Sequence, residues 1–400
     1  MSFLETIHEA ALAVFDETVM QRRDFHMNPE IAFEEVRTSR IIADKLGALG
    51  LNVRRSAAKT GVVALLEGAR PGRTVLVRAD IDALPIHDEK DVPYRSQLAG
   101  KMHACGHDGH AAVLLSVAKI LQARQAELAG RVVFIFQPAE ETVGGAAVML
   151  QGGALTGLAP DAVIGLHLSS EYPVGTVALR SGPSMAATDS FRVVVHGSGG
   201  HAAKPHLCID PVVIAARLVG SLQTLVARET DPQDSAVVSI TSFHGGTAYN
   251  IIPETAELKG TLRSFLPQTR DYLKERLETL CRSEAEAARG TVTFDWVDTS
   301  PAVINDPTMT ERVRHVAQGV VGAENVLESA RTMGGDDMAC WLGQAPGCYF
   351  FVGGRNEALG ADKPHHHPRF DLDERSLGVA VETLTLGVLD FLGPTDSSLP

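Results

Sequence analysis

Apolar residues recur at helical spacing from Phe3 to Arg23 and again from Thr38 to Leu49, where Gly50 is placed to stop the second helix. Val62 to Leu66 and Thr74 to Val77 are short apolar runs rich in valine that predict strands. The helical period returns from His110 to Ala123, with Asp108 as the expected N-cap. Val132 to Phe136 and Ala162 to Leu168 are continuous apolar runs, the pattern of strands buried on both faces. Strands alternating with helices predict an α/β core: a mostly parallel sheet with helices on both faces.

The pattern changes near Ser181, where SGPSMAA reads as a linker. Strand (Phe191 to His196), helix (Asp210 to Arg228), two strands (Ala236 to Phe243, Thr255 to Leu262), helix (Thr269 to Ala288) and strand (Thr291 to Val297) follow. That β-α-β-β-α-β order predicts an inserted ferredoxin-like α+β domain. Helix–strand alternation resumes near Ser300. The expected division is therefore residues 1–182 with 299–400 as one discontinuous domain, and 183–298 as the insertion. Gly393 to Pro400 reads as a disordered tail.

Length and composition agree with two domains. The 400 residues exceed what one core usually holds. The net charge of −13 argues against nucleic acid or an anionic membrane as the main partner. No apolar run reaches the roughly 20 residues that span a bilayer. Met1 to Ala10 carries Glu5, His8 and Glu9, so no secretory signal is expected. Five cysteines without regular spacing do not form a disulfide framework. The expectation is a cytoplasmic protein with free thiols.

Chemistry concentrates in four places. MHACGHDGH over 102–110 puts several metal-capable side chains just before a helix, with glycines that let the backbone turn. FIFQPAEE over 134–141 runs a buried strand into two adjacent carboxylates, which can divide metal ligation from proton transfer. His167 ends another apolar strand, and PHHHPRF over 364–370 holds three histidines. Taken singly, each has an ordinary explanation: a structural cysteine, a charged helix start, a core histidine, a flexible loop. Together they supply one Cys, several His and one or two Glu, more than one metal ion requires and a better match to two.

These residues, with RRDFHMNPE (22–30), RADIDALP (78–85), GLH (165–167), GHAAKP (200–205), YNIIP (249–253) and HHP (366–368), give the chain a resemblance to the hippurate hydrolase / N-acyl-amino-acid amidohydrolase family. That group includes the plant indole-3-acetyl amino acid hydrolases and is related to two-metal aminoacylases and carboxypeptidases. The resemblance covers nearly the whole chain. It implies two divalent metal ions, zinc or manganese, with cobalt or nickel also tolerated by the donor set. Their ligands would be Cys105 as the bridge, His107, Glu141, His167 and His366, the last chosen by the register of Pro368. Glu140 would be the general base. Asp82 would steer a ligand or the base, and Asp80 stands where metal-first peptidase relatives carry His. His201 would polarise the scissile carbonyl, and Asn250 and Arg263 would bind the substrate carboxylate. GGDDM (334–338) departs from the family's acid-acid-Phe form at Met338. His103, His110, His206 and His244 receive no role.

The implied function is hydrolysis of an N-acyl amino acid to a carboxylic acid and a free amino acid. The implied partners are that small substrate and a second copy of the chain, bound through the inserted lid, with neither nucleic acid nor membrane. A carboxypeptidase or dipeptidase would use the same residues. A deaminase of an aromatic amine is a more distant rival. A non-catalytic metal-binding protein would be expected to have lost Glu140 or a ligand, and here all are present.

Overall fold

The computed structural model of the protein describes residues 3–393; the tail expected beyond Gly393 lies outside the described residues. The chain divides into two compact units. The first comprises residues 1–182, 304–330 and 337–400, and the second 183–303 and 331–336. The sequence placed the second boundary at 298/299 and gave residues 331–336 to the first domain. In the structure those residues join the second unit, because Ala186 N–H donates to the carbonyls of Thr332 and Gly334 and Thr332 N–H donates to Ser184. These bonds also correct the linker reading: Gly182–Met185 is a strand.

The first unit is built on an eight-stranded sheet. Its order is Asn52–Ala57, Gly61–Glu67, Ala129–Gln137, Arg70–Asp80, Ala162–Pro173, Gly347–Arg355, Val177–Leu179, Val326–Glu328. The four central strands, from Ala129–Gln137 to Gly347–Arg355, are parallel to one another. Every residue from Val132 to Gln137 is buried, so both faces of the sheet are covered. Fully burying each of these apolar side chains is worth roughly 1.5–3 kcal/mol before entropy is counted. The first helix, Phe3–Met27, buries Ile7, Ala11, Val14, Thr18, Arg22 and Phe25 at three- and four-residue spacing. Helix His107–Ala123 starts two residues earlier than an Asp108 N-cap allows. Its N-cap is Gly106, and the Asp108 carboxylate instead accepts from Arg22 and His26.

The second unit is a four-stranded antiparallel sheet, ordered Ala236–Gly245, Thr255–Ser264, Ala187–His196, Thr291–Ser300. Helices Pro211–Glu229 and Pro267–Ala287 complete the β-α-β-β-α-β arrangement. Phe191, Val193 and Val195 alternate inward along their strand, against Ile214, Leu218, Leu222 and Leu225 of one helix and Leu273, Leu277 and Cys281 of the other. Asp210 caps the first of these helices by accepting from Val212 and Val213 N–H. Helix Pro211–Glu229 is long and apolar enough to cross a membrane by length and composition alone, although Arg217, Gln223 and Arg228 interrupt its apolar run. Its apolar face is spent on the core of the second unit.

Candidate metal centre

Parallel strand ends deliver the first groups. Asp80 and Gln137 pair at the ends of their strands. The adjoining strand runs in register Arg78↔Gly165, which sets His167 level with Asp80 two residues on. The carboxyl ends of parallel strands are where α/β proteins collect ligands. Gly106, at φ 96, turns the chain between Cys105 and His107, a conformation that favours glycine. After strand Ala129–Gln137, Ala139 takes a left-handed conformation (φ 55, ψ 39) and a short helix begins at Glu140. Close backbone approach completes that turn: a side chain at Gly145 would stand 1.7 Å from the Pro138 carbonyl.

Two donor trios result. Ligand atoms of Cys105, His107 and His167 lie within 4.8 Å of one another, and so do those of Cys105, Glu141 and His366. Cys105 belongs to both. Its Sγ is 3.5 Å from His167 Nε2, and Glu141 Oε1 is 3.2 Å from His366 Nε2 and 3.9 Å from His107 Nε2. His107 Nδ1 sits 3.0 Å from the Asp82 carbonyl, and His167 Nδ1 2.7 Å from the Leu168 carbonyl. Carbonyls only accept, so both rings carry a proton on Nδ1 and turn Nε2 toward the cluster.

The donor chemistry fits divalent cations. Buried His107 Nε2 has no hydrogen-bond partner, and buried Glu141 Oε1 faces only the His366 ring, 3.2 Å away. Burial opposes charge on His107, but Asp80 and Asp82 outweigh it and raise its pKa well above the ordinary value. A field that favours a proton at Nε2 also favours a cation there. Burial, with the neighbouring His110 and His365 rings, holds His167 well below the ordinary value, in the neutral form that ligates. Burial and the Glu141 carboxylate push the Cys105 thiol well up, so its thiolate requires a cation beside it.

All five sequence-predicted ligands meet in this cluster, and Glu140 forms a third such group with His107 and Glu141. Asp82 lies among them: its Oδ2 accepts from Glu141 N–H at 3.0 Å, and its Oδ1 is 3.3 Å from His107 Nδ1. Asp80 is spoken for, accepting from Arg78 at 2.7 Å and His110 at 2.5 Å. Met338 fills the space over Gly165, where a side chain would meet its Cε at 2.8 Å.

Sequence reasoning missed several participants. His110 Nε2 accepts from Leu168 N–H at 2.9 Å, which fixes its Nδ1–H on Asp80 and steadies the strand end carrying His167. His365 Nδ1 is 3.7 Å from Cys105 Sγ while its Nε2 accepts from Ser170 N–H. Asp108, next to His107, is fully buried; burial opposes its ionisation, yet Arg22 and His26 hold it well below the usual carboxylate range. An acid adjoining the predicted ligand His107 was the available signal for Asp108. His110 and His365 stood inside the MHACGHDGH and PHHHPRF segments, but the local pattern did not separate them from the other histidines there.

In the second unit, His201 and Asn250 meet on one two-stranded rim: His201 pairs with Ile251, and Ala202 N–H donates to the Asn250 carbonyl. Ala203 N–H donates to His201 Nδ1, which puts the ring proton on exposed Nε2. Arg263 does not join them. It pairs with Thr188, whereas the strand end nearer His201 pairs Thr255 with His196. Eight residues of strand separate the two pairings, about 26 Å at 3.3 Å per residue.

Known proteins share this architecture. The chain is similar to YhaA of Bacillus subtilis, 42% identical over 378 residues, covering 94% of this chain and 95% of the relative. It is 38% identical over 393 residues to thermostable carboxypeptidase 2 of Saccharolobus solfataricus, covering 97% of each. It is 38% identical over 363 residues to N-acetylcysteine deacetylase of Bacillus subtilis, covering 90% and 93%. Among solved structures, the YXEP protein of Bacillus subtilis, described as a dinuclear metal binding peptidase from the M20 family, superposes with a TM-score of 0.82 at 34% identity over 95% of this chain and 98% of that one. The model for peptidase family M20/M25/M40 matches residues 76–388, a span that contains both donor trios, and the chain belongs to that family.

Proposed function

We propose that this chain is a two-metal amidohydrolase that splits N-acyl amino acids into a carboxylic acid and a free amino acid. The observation that carries the reading is the pair of donor trios sharing Cys105, with the carboxylate of Glu140 grouped beside His107 and Glu141. Cys105 would bridge; His107 and His167 would hold one cation, Glu141 and His366 the other. The mixed thiolate, imidazole and carboxylate set suits zinc or manganese, and tolerates cobalt or nickel. When bound, the cations supply Lewis acidity and an acidified water. Glu140 takes the proton of the attacking water and returns it to the amide nitrogen as the C–N bond breaks. Asp82 fixes Glu141 through its backbone N–H and orients His107. His201, a donor through Nε2, stabilises the charge that grows on the carbonyl oxygen. Asn250 and Arg263 bind the substrate carboxylate.

The last assignment calls for two copies of the chain, since Asn250 and Arg263 lie far apart within the second unit. Strand Ala236–Gly245 is an open sheet edge among the described residues, and nearby Phe243, Tyr249 and Ile251 are exposed. We assign that surface to a homodimer. The deacetylase relative supports an acyl amino acid substrate, and the carboxypeptidase relative keeps short peptides as the second reading.

A panel of N-acyl amino acids and dipeptides, run on chelated protein restored with each metal in turn, separates the two. For Glu140→Gln we expect metal content to be unchanged and kcat on N-acetyl-methionine to fall about 10²–10⁴-fold. Near-normal turnover by that variant would remove Glu140 from the base position. A panel without any amide cleavage would end the hydrolase reading.

A further inference from the structure

Glu35 has no part in the site described above, yet it is fully buried and aimed at it. It precedes helix Val36–Ala48, where a carboxylate ordinarily turns back to the helix N-terminus. Its side chain makes no such bond. Oε1 instead accepts from the backbone N–H of Ala139 at 3.1 Å, and Oε2 accepts from the Thr60 hydroxyl at 2.6 Å. Glu35 and Ala139 are both 0% exposed, so water does not compete for these bonds.

Ala139 is the residue that aims the two catalytic carboxylates. It is held at φ 55, ψ 39, the left-handed region that costs an L-residue with a Cβ, immediately before Glu140 and Glu141. Such a conformation persists only where its surroundings over-determine it. Three bonds do so here: Glu35 takes the Ala139 N–H, Gly145 N–H donates to the Ala139 carbonyl, and Asp82 takes the Glu141 N–H. Glu140 therefore sits between two amides, each clamped by a buried acid. The Asp82 clamp lies on the ligand, Glu141. The Glu35 clamp lies on the turn that sets where Glu140 points.

We infer that Glu35 is a positioning residue for the reaction, clamping the left-handed Ala139 turn so that Glu140 faces the attacking water. It touches neither substrate nor metal, and its effect runs entirely through the Ala139 backbone. This rests on the role proposed for Glu140.

The test compares Glu35→Gln, Glu35→Asp and Glu35→Ala in the full chain, restored with manganese and assayed on N-acetyl-methionine. Glutamine keeps a carbonyl to accept from Ala139 and an amide to donate to Thr60, so kcat should stay within about threefold of the parent. Alanine removes the clamp. Its kcat should fall roughly 10–100-fold, as for a group misplaced by about 1 Å, with KM nearly constant and manganese still bound. Aspartate draws the acceptor back by one methylene and should lose at least about fivefold in kcat at constant KM. Backbone hydrogen exchange, read by mass spectrometry, should quicken in the segment around 139 in the alanine variant and stay at the parent rate in the glutamine variant.

A glutamine variant as slow as the alanine one would overturn the inference, and so would an aspartate or alanine variant with parental kcat. If alanine prevents folding, the glutamine and aspartate variants decide alone. If the parent cleaves no amide at all, the proposed reaction fails, while exchange at Ala139 still judges the clamp: unchanged exchange in the alanine variant overturns it.

Discussion

At the scale of single residues, the centre is organised by which atoms are already occupied. Backbone carbonyls hold the Nδ1 protons of His107 and His167, and Arg78 and His110 occupy Asp80. What remains for a cation is His107 Nε2, His167 Nε2, Cys105 Sγ, Glu141 and His366. Glu35 shows what such arrangements cost. Burial pushes its carboxyl up to about 7, despite hydrogen bonds from Thr60 and the backbone, and the Asp82 charge adds to the rise. Because the folded pKa lies above the unfolded one, the native state holds a proton that the unfolded chain has lost. Stability is therefore whole below pH ~4.5 and declines as pH rises through ~7. Glu35→Gln removes that penalty. Relative to the parent, it should gain on the order of 1–3 kcal/mol between pH 5 and pH 8, measured by urea unfolding at both values. A pH-independent difference between the two proteins would contradict the raised pKa.

At the scale of elements, the strands of the first unit carry the site and the helices of the second unit carry a core. Helix Pro211–Glu229 shows how composition alone misleads. Its apolar length suits a bilayer, but Ile214, Leu218, Leu222 and Leu225 form one stripe on an antiparallel sheet. Leu222 is completely buried there. Leu222→Ala should cost about 2–5 kcal/mol by chemical denaturation, the range for deleting a buried leucine. It should leave the metal content of the first unit intact, because Leu222 touches none of the ligands. A loss below about 1 kcal/mol would mean that the stripe is not packed as described.

At the scale of the whole molecule, the first unit should depend on its cations for stability. Its cluster holds a buried, unpartnered donor atom, His107 Nε2, that a cation satisfies and the unfolded chain does not retain. Ligand bound at a hundred times its Kd adds about 2.7 kcal/mol, which corresponds to a rise of several degrees in melting temperature. Chelation should lower the calorimetric Tm of the parent by about that much, with recovery on adding zinc or manganese. Cys105→Ala, which removes the donor common to both trios, should show little response to either treatment. An equal response in that variant would separate Cys105 from the metal.

Much of this was legible before any coordinates. Val132–Phe136 reads as a two-sided buried strand because no polar residue interrupts it, and β-α-β-β-α-β can be read from the change of period after Ser181. The ligand residue types, and their places after strands, were equally plain. These properties are local, and local sequence determines them through periodicity and side-chain chemistry. Other features were decided only by tertiary structure. Cys105 stands in two trios because segments near positions 105, 141, 167 and 366 converge at one sheet edge. Asp108 abandons the N-cap for Arg22 and His26, His110 reaches across to Leu168, and residues 331–336 cross to the second unit. Glu35, one acid among many in an exposed-looking run, becomes the clamp on Ala139, 104 residues away. Each of these partnerships joins groups remote along the chain and decides which polar atoms go unpaired when water is excluded. Periodicity carries no record of such pairings, because they exist only once the sheet has brought the segments together.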